Sequence, residues 1–505
     1  MTAKPLMIQG TMSNVGKSLL VAGLARVLVQ DGYSVAPFKS QNMALNSYVT
    51  ADGREMGRAQ AMQAQAAGLD PVSDMNPILL KPEGPRGSQV IVDGLSRGTM
   101  SARDYFAYRR GLAPQVEAAY RRLARAHDIV LIEGAGSPAE INLQRDDIVN
   151  MGMARMADAP VLLVGDIDPG GVFAQLAGTV SLVPPKDRRR VRGLIINKFR
   201  GDASILRPGL APLEELCGAP VLGVVPYTRL DIDDEDSLSS RLRARDSSRP
   251  VDIAVIRLPH LSNFTDFDPL ERHGAVGVRY VERARDLGRP DLVVLPGTKS
   301  TLGDLAWLRA SGIADCVLRL AHASTPVLGI CGGYQMLGEE LLDPDGVEGP
   351  PASARGLGLL PVRTVFERAK TLERTDAVLS VPDGFFSCLD GICAHGYEIH
   401  AGVTDLADGS RRAVFSNGGD GRAGGVAAGN VMGTYLHGLF DAPEAVRAVA
   451  DALLRARALD PSGFDVVGGD AYRDAQFDKL ADAVRAALDM DAVMDIIERG
   501  VPAAV

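Results

Sequence analysis

The 505 residues exceed the roughly 250–300 at which a single hydrophobic core stops growing, so two domains or more are expected. Hydrophobic residues at 46% and charged residues at 23% describe a folded globular chain and exclude a largely disordered or fibrous one. A net charge of −9 argues against general nucleic-acid binding, which needs a basic field to displace counterions, so anionic ligands must be held by local groups.

From the N-terminus, Leu6–Gln9 reads as a strand that runs into Gly10-Thr-Met-Ser-Asn14-Val15-Gly16-Lys17-Ser18, and Ser18–Gln30 as the helix that follows. A loop between a strand and a helix N-terminus turns backbone N–H groups toward one point, where the helix dipole also favours negative charge. Gly10, Asn14, Val15 and Gly16 would cradle a nucleotide's phosphates, Lys17 would neutralise them, and the Ser18 hydroxyl would ligate Mg²⁺. Five residues rather than the usual four separate Gly10 from Gly16. Further strands are expected at Ser34–Phe38, Ile129–Glu133, Val161–Asp166 and Gly193–Asn197, which makes a mostly parallel sheet covered on both faces, with ligands at the strands' carboxyl ends. Glu133 ends its strand before Gly-Ala-Gly and is a candidate second ligand for the magnesium. Asp166 and Asp168 are weaker candidates for metal or substrate contact, and Asn197-Lys198 for contact with the nucleotide base.

Around 229–250 the pattern gives way to an acidic run and then Ser- and Arg-rich residues, a linker between an ATP-binding domain over 1–228 and a second α/β domain over 251–445. Its strands are expected at Val251–Leu258, Leu292–Pro296, Val327–Ile330 and Val431–Tyr435. Cys331, in Gly329-Ile-Cys331-Gly-Gly, sits where a strand turns sharply into a helix, the geometry of a nucleophile elbow. His437, at another strand end, would activate the thiol and later protonate a departing amine. Backbone N–H groups at Gly297 and Gly332 would stabilise an oxyanion, and His400 would line the site. The other cysteines, at 217, 316, 388 and 393, lack such a setting, and no CxxC pair points to zinc or disulfides. Helices at Glu444–Leu459 and Ala475–Asp489 form a C-terminal extension over 446–505; Phe477, Leu480, Val484 and Leu488 fall on one face, as in a docked tail. No apolar run reaches the roughly 18–20 residues of a membrane span, and the N-terminus leaves no room for a signal peptide, so a cytoplasmic protein is expected.

These loops resemble class I glutamine amidotransferases, and almost the whole chain resembles the cobyric acid synthase family, cobalamin-pathway amidases that join a dethiobiotin-synthetase-like P-loop domain to a flavodoxin-like glutaminase domain. The likeness also runs through Pro37-Phe-Lys39-Ser-Gln41-Asn42-Met-Ala-Leu-Asn46, Gly57-Arg-Ala-Gln-Ala-Met-Gln63, Met75-Asn-Pro-Ile-Leu-Leu-Lys-Pro82, Glu133-Gly-Ala-Gly-Ser-Pro-Ala-Glu140-Ile-Asn142, and the His395 and His437 stretches. It implies two three-layer α/β domains with mostly parallel sheets. It also implies ATP-dependent, glutamine-using amidation of the b, d, e and g carboxylates of adenosylcobyrinic acid a,c-diamide. Cys331 and His437 match the family's nucleophile and histidine, and Lys39, Gln41, Asn42, Asn46 and Glu140 are candidate contacts to the corrinoid. Leu439 stands where class I enzymes carry a glutamate two residues after the histidine, so the orienting residue for His437 is open, with Glu398 a substitute if the fold brings it near. A ligase acting on another polycarboxylate, such as the a,c-diamide-forming step, and a ParA-like ATPase switch are the alternatives. A homo-oligomer stays open.

Overall fold

Continuous apolar runs with no polar alternation belong to strands buried on both faces, and the first sheet is built from such runs. The computed structural model describes residues 3–83, 87–232, 249–406 and 424–503. Among them, one parallel sheet has the strand order Val221–Pro226, Val191–Phe199, Val161–Asp166, Lys4–Gly10, Ile129–Glu133, Val35–Phe38. The central strand Lys4–Gly10 aligns Met7 with Val161 on one side and with Ile132 on the other, so both neighbours end beside the phosphate loop. A second sheet runs Val276–Val281, Val251–Ile256, Leu292–Leu295, Val327–Ile330, Val431–Thr434, Gly425–Ala428, parallel except for the last pair. The doubly covered α/β architecture expected for each half is present.

Two mainly antiparallel additions were not anticipated. In the first half, Gln41–Met43, Ile78–Pro82, Ser88–Val92 and Leu95–Met100 form a small sheet whose first pair is parallel and whose other two are antiparallel. In the second, Val362–Val378 and Cys393–Leu406 form a long ribbon, with Val362 opposite Leu406 and Val378 opposite Cys393.

The chain divides into two units whose boundaries differ from those drawn on sequence. One comprises Met1–Ala44, Arg54–Ile232 and Arg473–Val505; the other comprises Leu45–Gly53 and Asp233–Tyr472. Of the linker expected at 229–250, residues 233–248 lie outside the described residues. The C-terminal stretch is not one extension. The helix Pro443–Ala456 buries Val446, Val449 and Leu453 in the core of the second unit. Phe477, Leu480, Val484 and Leu488 instead join the first unit's core with Leu20, Leu24 and Leu28 of the helix Lys17–Gln30. A Cβ on Gly23 would lie 2.7 Å from Val484 Cγ2, so a glycine in that helix admits the tail at close range. Arg26–Asp478 and Arg485–Asp31 ion pairs, at 2.8 Å each, flank this seam. Among the described residues, no helix is long and apolar enough to cross a membrane.

Candidate active sites

In the first unit the phosphate loop closes on itself through two left-handed residues, Asn14 at φ 60° and Gly16 at φ 95°. Gly16 is required twice over: its conformation disfavours a side chain, and a Cβ there would sit 2.3 Å from Asn197 Nδ2. Asn197 donates from Nδ2 to Val15 O at 2.7 Å, and Lys198 donates to Asn14 O. The Asn197-Lys198 pair thus holds the loop from behind. Gly10 is fixed by packing, since a Cβ would come within 2.5 Å of Val15 Cγ2.

Lys17 Nζ donates to Met12 O at 3.0 Å and to Gly136 O at 3.4 Å, bridging the loop and the small residues after Glu133. Glu133 is 1% exposed and densely bonded. Its Oε1 accepts from Ser18 Oγ at 2.9 Å and Lys39 Nζ at 2.8 Å, and its Oε2 accepts from Gln63 Nε2 at 2.6 Å and Gln60 Nε2 at 3.4 Å. A buried carboxylate is tolerable only with such partners, and Lys39 supplies the compensating charge. Gln60 and Gln63 come from the Gly57–Gln63 stretch, whose part in this site sequence reasoning left unassigned. Asp166 takes no part in this cluster: it pairs with Lys198 at 2.7 Å, and Asp168 pairs with Arg200 at 3.3 Å.

The donors fit Mg²⁺. Ser18 Oγ and a Glu133 oxygen are adjacent, and the buried Gln63 Oε1 has no hydrogen-bond partner among the described residues. Among those residues no cluster of three or more His, Cys, Asp or Glu offers a complete metal cage. Mg²⁺ in such sites is held by one or two protein oxygens together with phosphates and water.

The five candidate corrinoid contacts do not form one group. Lys39 is occupied with Glu133, Gln41 Oε1 accepts from Tyr105 OH at 2.5 Å, and Asn42 Nδ2 donates to Gln60 Oε1 at 2.9 Å. Glu140 is exposed, just before the short 3-10 helix Ile141–Asp146. Asn46 belongs to the second unit, where it is buried against Asn263.

In the second unit Cys331 adopts φ 51° and ψ −111°, a strained turn between the strand Val327–Ile330 and the helix Gly332–Leu337. Its amide donates to Thr434 O at 2.8 Å, and its Sγ lies 3.5 Å from Ile399 O. Gly332 abuts Thr298, whose Cγ2 would be 2.6 Å from a Cβ, and a Cβ on Gly297 would be 3.1 Å from His437 Cε1. Both glycines predicted for the oxyanion therefore border the Cys331–His437 pair.

His437 is 1% exposed, and Nδ1 meets Asp266 Oδ2 at 2.7 Å. Asp266 Oδ1 also accepts from Gly438 N at 3.2 Å, so the carboxylate is fixed at both oxygens. Burial works against charge on the imidazole, but the Asp266 carboxylate and the Cys331 sulfur outweigh it and raise His437 to about 10. The expectation of Glu398 as orienting carboxylate is corrected: Glu398 Oε2 faces His400 Nε2 at 3.3 Å instead. Leu439 is buried in the core, and the acid comes from a distant segment. Sequence carries no local signal for it, since Asn263-Phe-Thr-Asp266-Phe mixes polar and aromatic residues. His400 stacks on Tyr435 with centroids 3.6 Å apart, and Tyr435 OH accepts from Gln335 Nε2 at 3.1 Å, within the helix that follows Cys331.

Two family models match the chain. Residues 6–237 match the CobQ/CobB/MinD/ParA nucleotide binding domain, and residues 252–445 match the CobB/CobQ-like glutamine amidotransferase domain. A cobyric acid synthase from Ruminiclostridium cellulolyticum is 52% identical over 99% of this chain and 98% of its own length. Those of Lachnoclostridium phytofermentans and Streptococcus sanguinis are 51% and 48% identical, covering 99% and 98% of this chain and 100% and 99% of theirs. Identity near one half, sustained through both units and almost every residue, means that the chain belongs to the cobyric acid synthase family and is a glutamine-dependent ligase.

Proposed function

We propose that the chain amidates the b, d, e and g carboxylates of adenosylcobyrinic acid a,c-diamide, using ATP and the amide nitrogen of glutamine. The observation that carries this reading is a Cys331–His437–Asp266 constellation in a chain that also presents Lys17 and Ser18 on a phosphate loop. The relatives' name, cobyric acid synthase, supports the corrinoid substrate.

At the thiol site, Cys331 reacts as its thiolate beside the His437 imidazolium that Asp266 favours. Sulfur attacks the glutamine amide carbon, and the oxyanion is met by N–H groups at Gly297 and Gly332. His437 gives its proton to the departing nitrogen, ammonia leaves, and a thioester remains. Neutral His437 then takes a proton from water, which releases glutamate and restores the pair, while Asp266 keeps the imidazole aligned.

At the phosphate loop, Gly10, Asn14, Val15, Gly16 and Lys17 hold the nucleotide, with Asn197 bracing the loop from behind. Ser18 and Glu133 would hold Mg²⁺, which supplies charge neutralisation on the transferred phosphoryl group. A substrate carboxylate displaces ADP to give an acyl phosphate; ammonia then displaces phosphate to give the amide. Lys39, Gln41, Asn42 and Glu140 are the proposed corrinoid-side residues, Lys39 turning from Glu133 to a substrate carboxylate.

Two variants test the division of labour, with amidation measured from glutamine and from ammonium. Cys331→Ala should lose glutamine-supported amidation and keep ammonia-supported amidation, whereas Lys17→Ala should lose both. Unchanged use of glutamine by the first, or full activity in the second, contradicts the assignments.

A further inference from the structure

The segment Leu45–Gly53 lies early in the chain yet belongs to the second unit, beside its histidine. Asn46 is 1% exposed, and its Oδ1 accepts from Asn263 N at 2.8 Å. Asn263 Oδ1 accepts in turn from Ser47 N at 3.2 Å, which closes a reciprocal clasp. The Asn46 Nδ2 is buried with no hydrogen-bond partner among the described residues, so the acceptor oxygen is the atom this site uses. Leaving a buried donor unpaired costs about 1–3 kcal/mol, a cost that packing alone gives no reason to keep.

The clasp grips a strained turn. Asn263 has φ 52°, and its carbonyl accepts from Asp266 N at 3.1 Å, so the turn that the clasp fixes also aims Asp266 at His437. The next residue reaches the imidazole from another side. Ser47 O accepts from Tyr397 OH at 3.2 Å, and the Tyr397 ring stacks on His437 with centroids 5.3 Å apart and planes 19° apart. Tyr397 and His437 also exchange backbone hydrogen bonds, at 3.1 and 2.9 Å. Val49 packs against Tyr397 and Ile399, and Ile399 O is the carbonyl beside the Cys331 sulfur.

We infer that Asn46 and Ser47 are positioning residues of the glutamine-hydrolysing site: they hold Asp266 through Asn263 and the stacking ring through Tyr397, and so fix the His437 imidazolium against Cys331. This inference rests on the Cys–His glutaminase reading and replaces the corrinoid contact expected of Asn46.

Full-length Asn46→Ala and Asn46→Asp proteins, the second keeping the acceptor oxygen, are compared in glutamine hydrolysis. The pH dependence of iodoacetamide alkylation at Cys331 is read by peptide mass spectrometry. Asn46→Ala should lower kcat by about 10–100-fold, the cost of a small misplacement of a catalytic group, with KM for glutamine little changed. The rising limb of Cys331 alkylation should move to higher pH, because iodoacetamide reacts with the thiolate and a displaced imidazolium no longer favours it, and Asn46→Asp should recover most of both. Tyr397→Phe, which keeps the ring and loses the hydroxyl, should show a smaller fall in kcat. An unchanged kcat and unchanged limb in Asn46→Ala overturns the inference, as does a loss confined to KM. Absence of Cys331-dependent hydrolysis in the unsubstituted protein would instead overturn the glutaminase reading beneath it.

Discussion

Asp266 is the residue that alters the chemistry most. A glutamate two positions after the histidine can be sought by pattern, but here the acid stands 171 positions before His437 and meets it only after folding. Cys331 was legible because glycines on both sides and an apolar strand before it describe a local turn; a distant orienting acid has no local signature. Its removal has a defined sign. Asp266 raises His437, so in Asp266→Asn burial acts with less opposition and the imidazolium loses its proton at lower pH. The alkaline limb of glutamine hydrolysis should therefore move down by roughly 1–3 pH units, the usual effect of one opposite charge at contact distance. The rate should fall by about 10²–10⁴-fold, the upper end matching loss of the orienting acid in serine-protease triads. A pH–rate profile of glutamine hydrolysis checks both, and an unmoved limb would remove Asp266 from the pair.

Among the elements, those buried on both faces were read well and those facing solvent on one side were not. Ile129–Glu133, Val161–Asp166 and Val327–Ile330 fall on their expected bounds because they are short apolar runs with polar or glycine-rich ends. The strand Val362–Val378 escaped notice because Glu367-Arg-Ala-Lys370 and Glu373-Arg374 look like a solvated loop, although the ribbon carries the first run through a shift in register and pairs Glu373 with Glu398 and Arg374 with Tyr397. The tail's apolar stripe was visible, while its berth on the helix behind the phosphate loop depends on tertiary packing. Leu480→Ala at that seam should cost about 2–5 kcal/mol, as deletion of a buried leucine side chain does. Denaturant unfolding followed through the first unit measures it, and a loss under about 1 kcal/mol would show that the tail is only loosely held.

For the whole molecule, the proposed reading makes the phosphate loop and the thiol turn the two halves of one amidation, one activating an acid and the other releasing nitrogen. The family likeness was carried by the connecting stretches as well as by the loops, and those stretches have structural partners: Gln60 and Gln63 converge on Glu133, and Asn46 on Asn263. The most direct test of the central claim is mass spectrometry of the corrinoid product after incubation of the intact protein with ATP, Mg²⁺, amide-¹⁵N glutamine and adenosylcobyrinic acid a,c-diamide. Four successive replacements of OH by ¹⁵NH₂ are expected; a corrinoid that gains no ¹⁵N, or stops after fewer than four replacements when all reagents are in excess, would contradict the account.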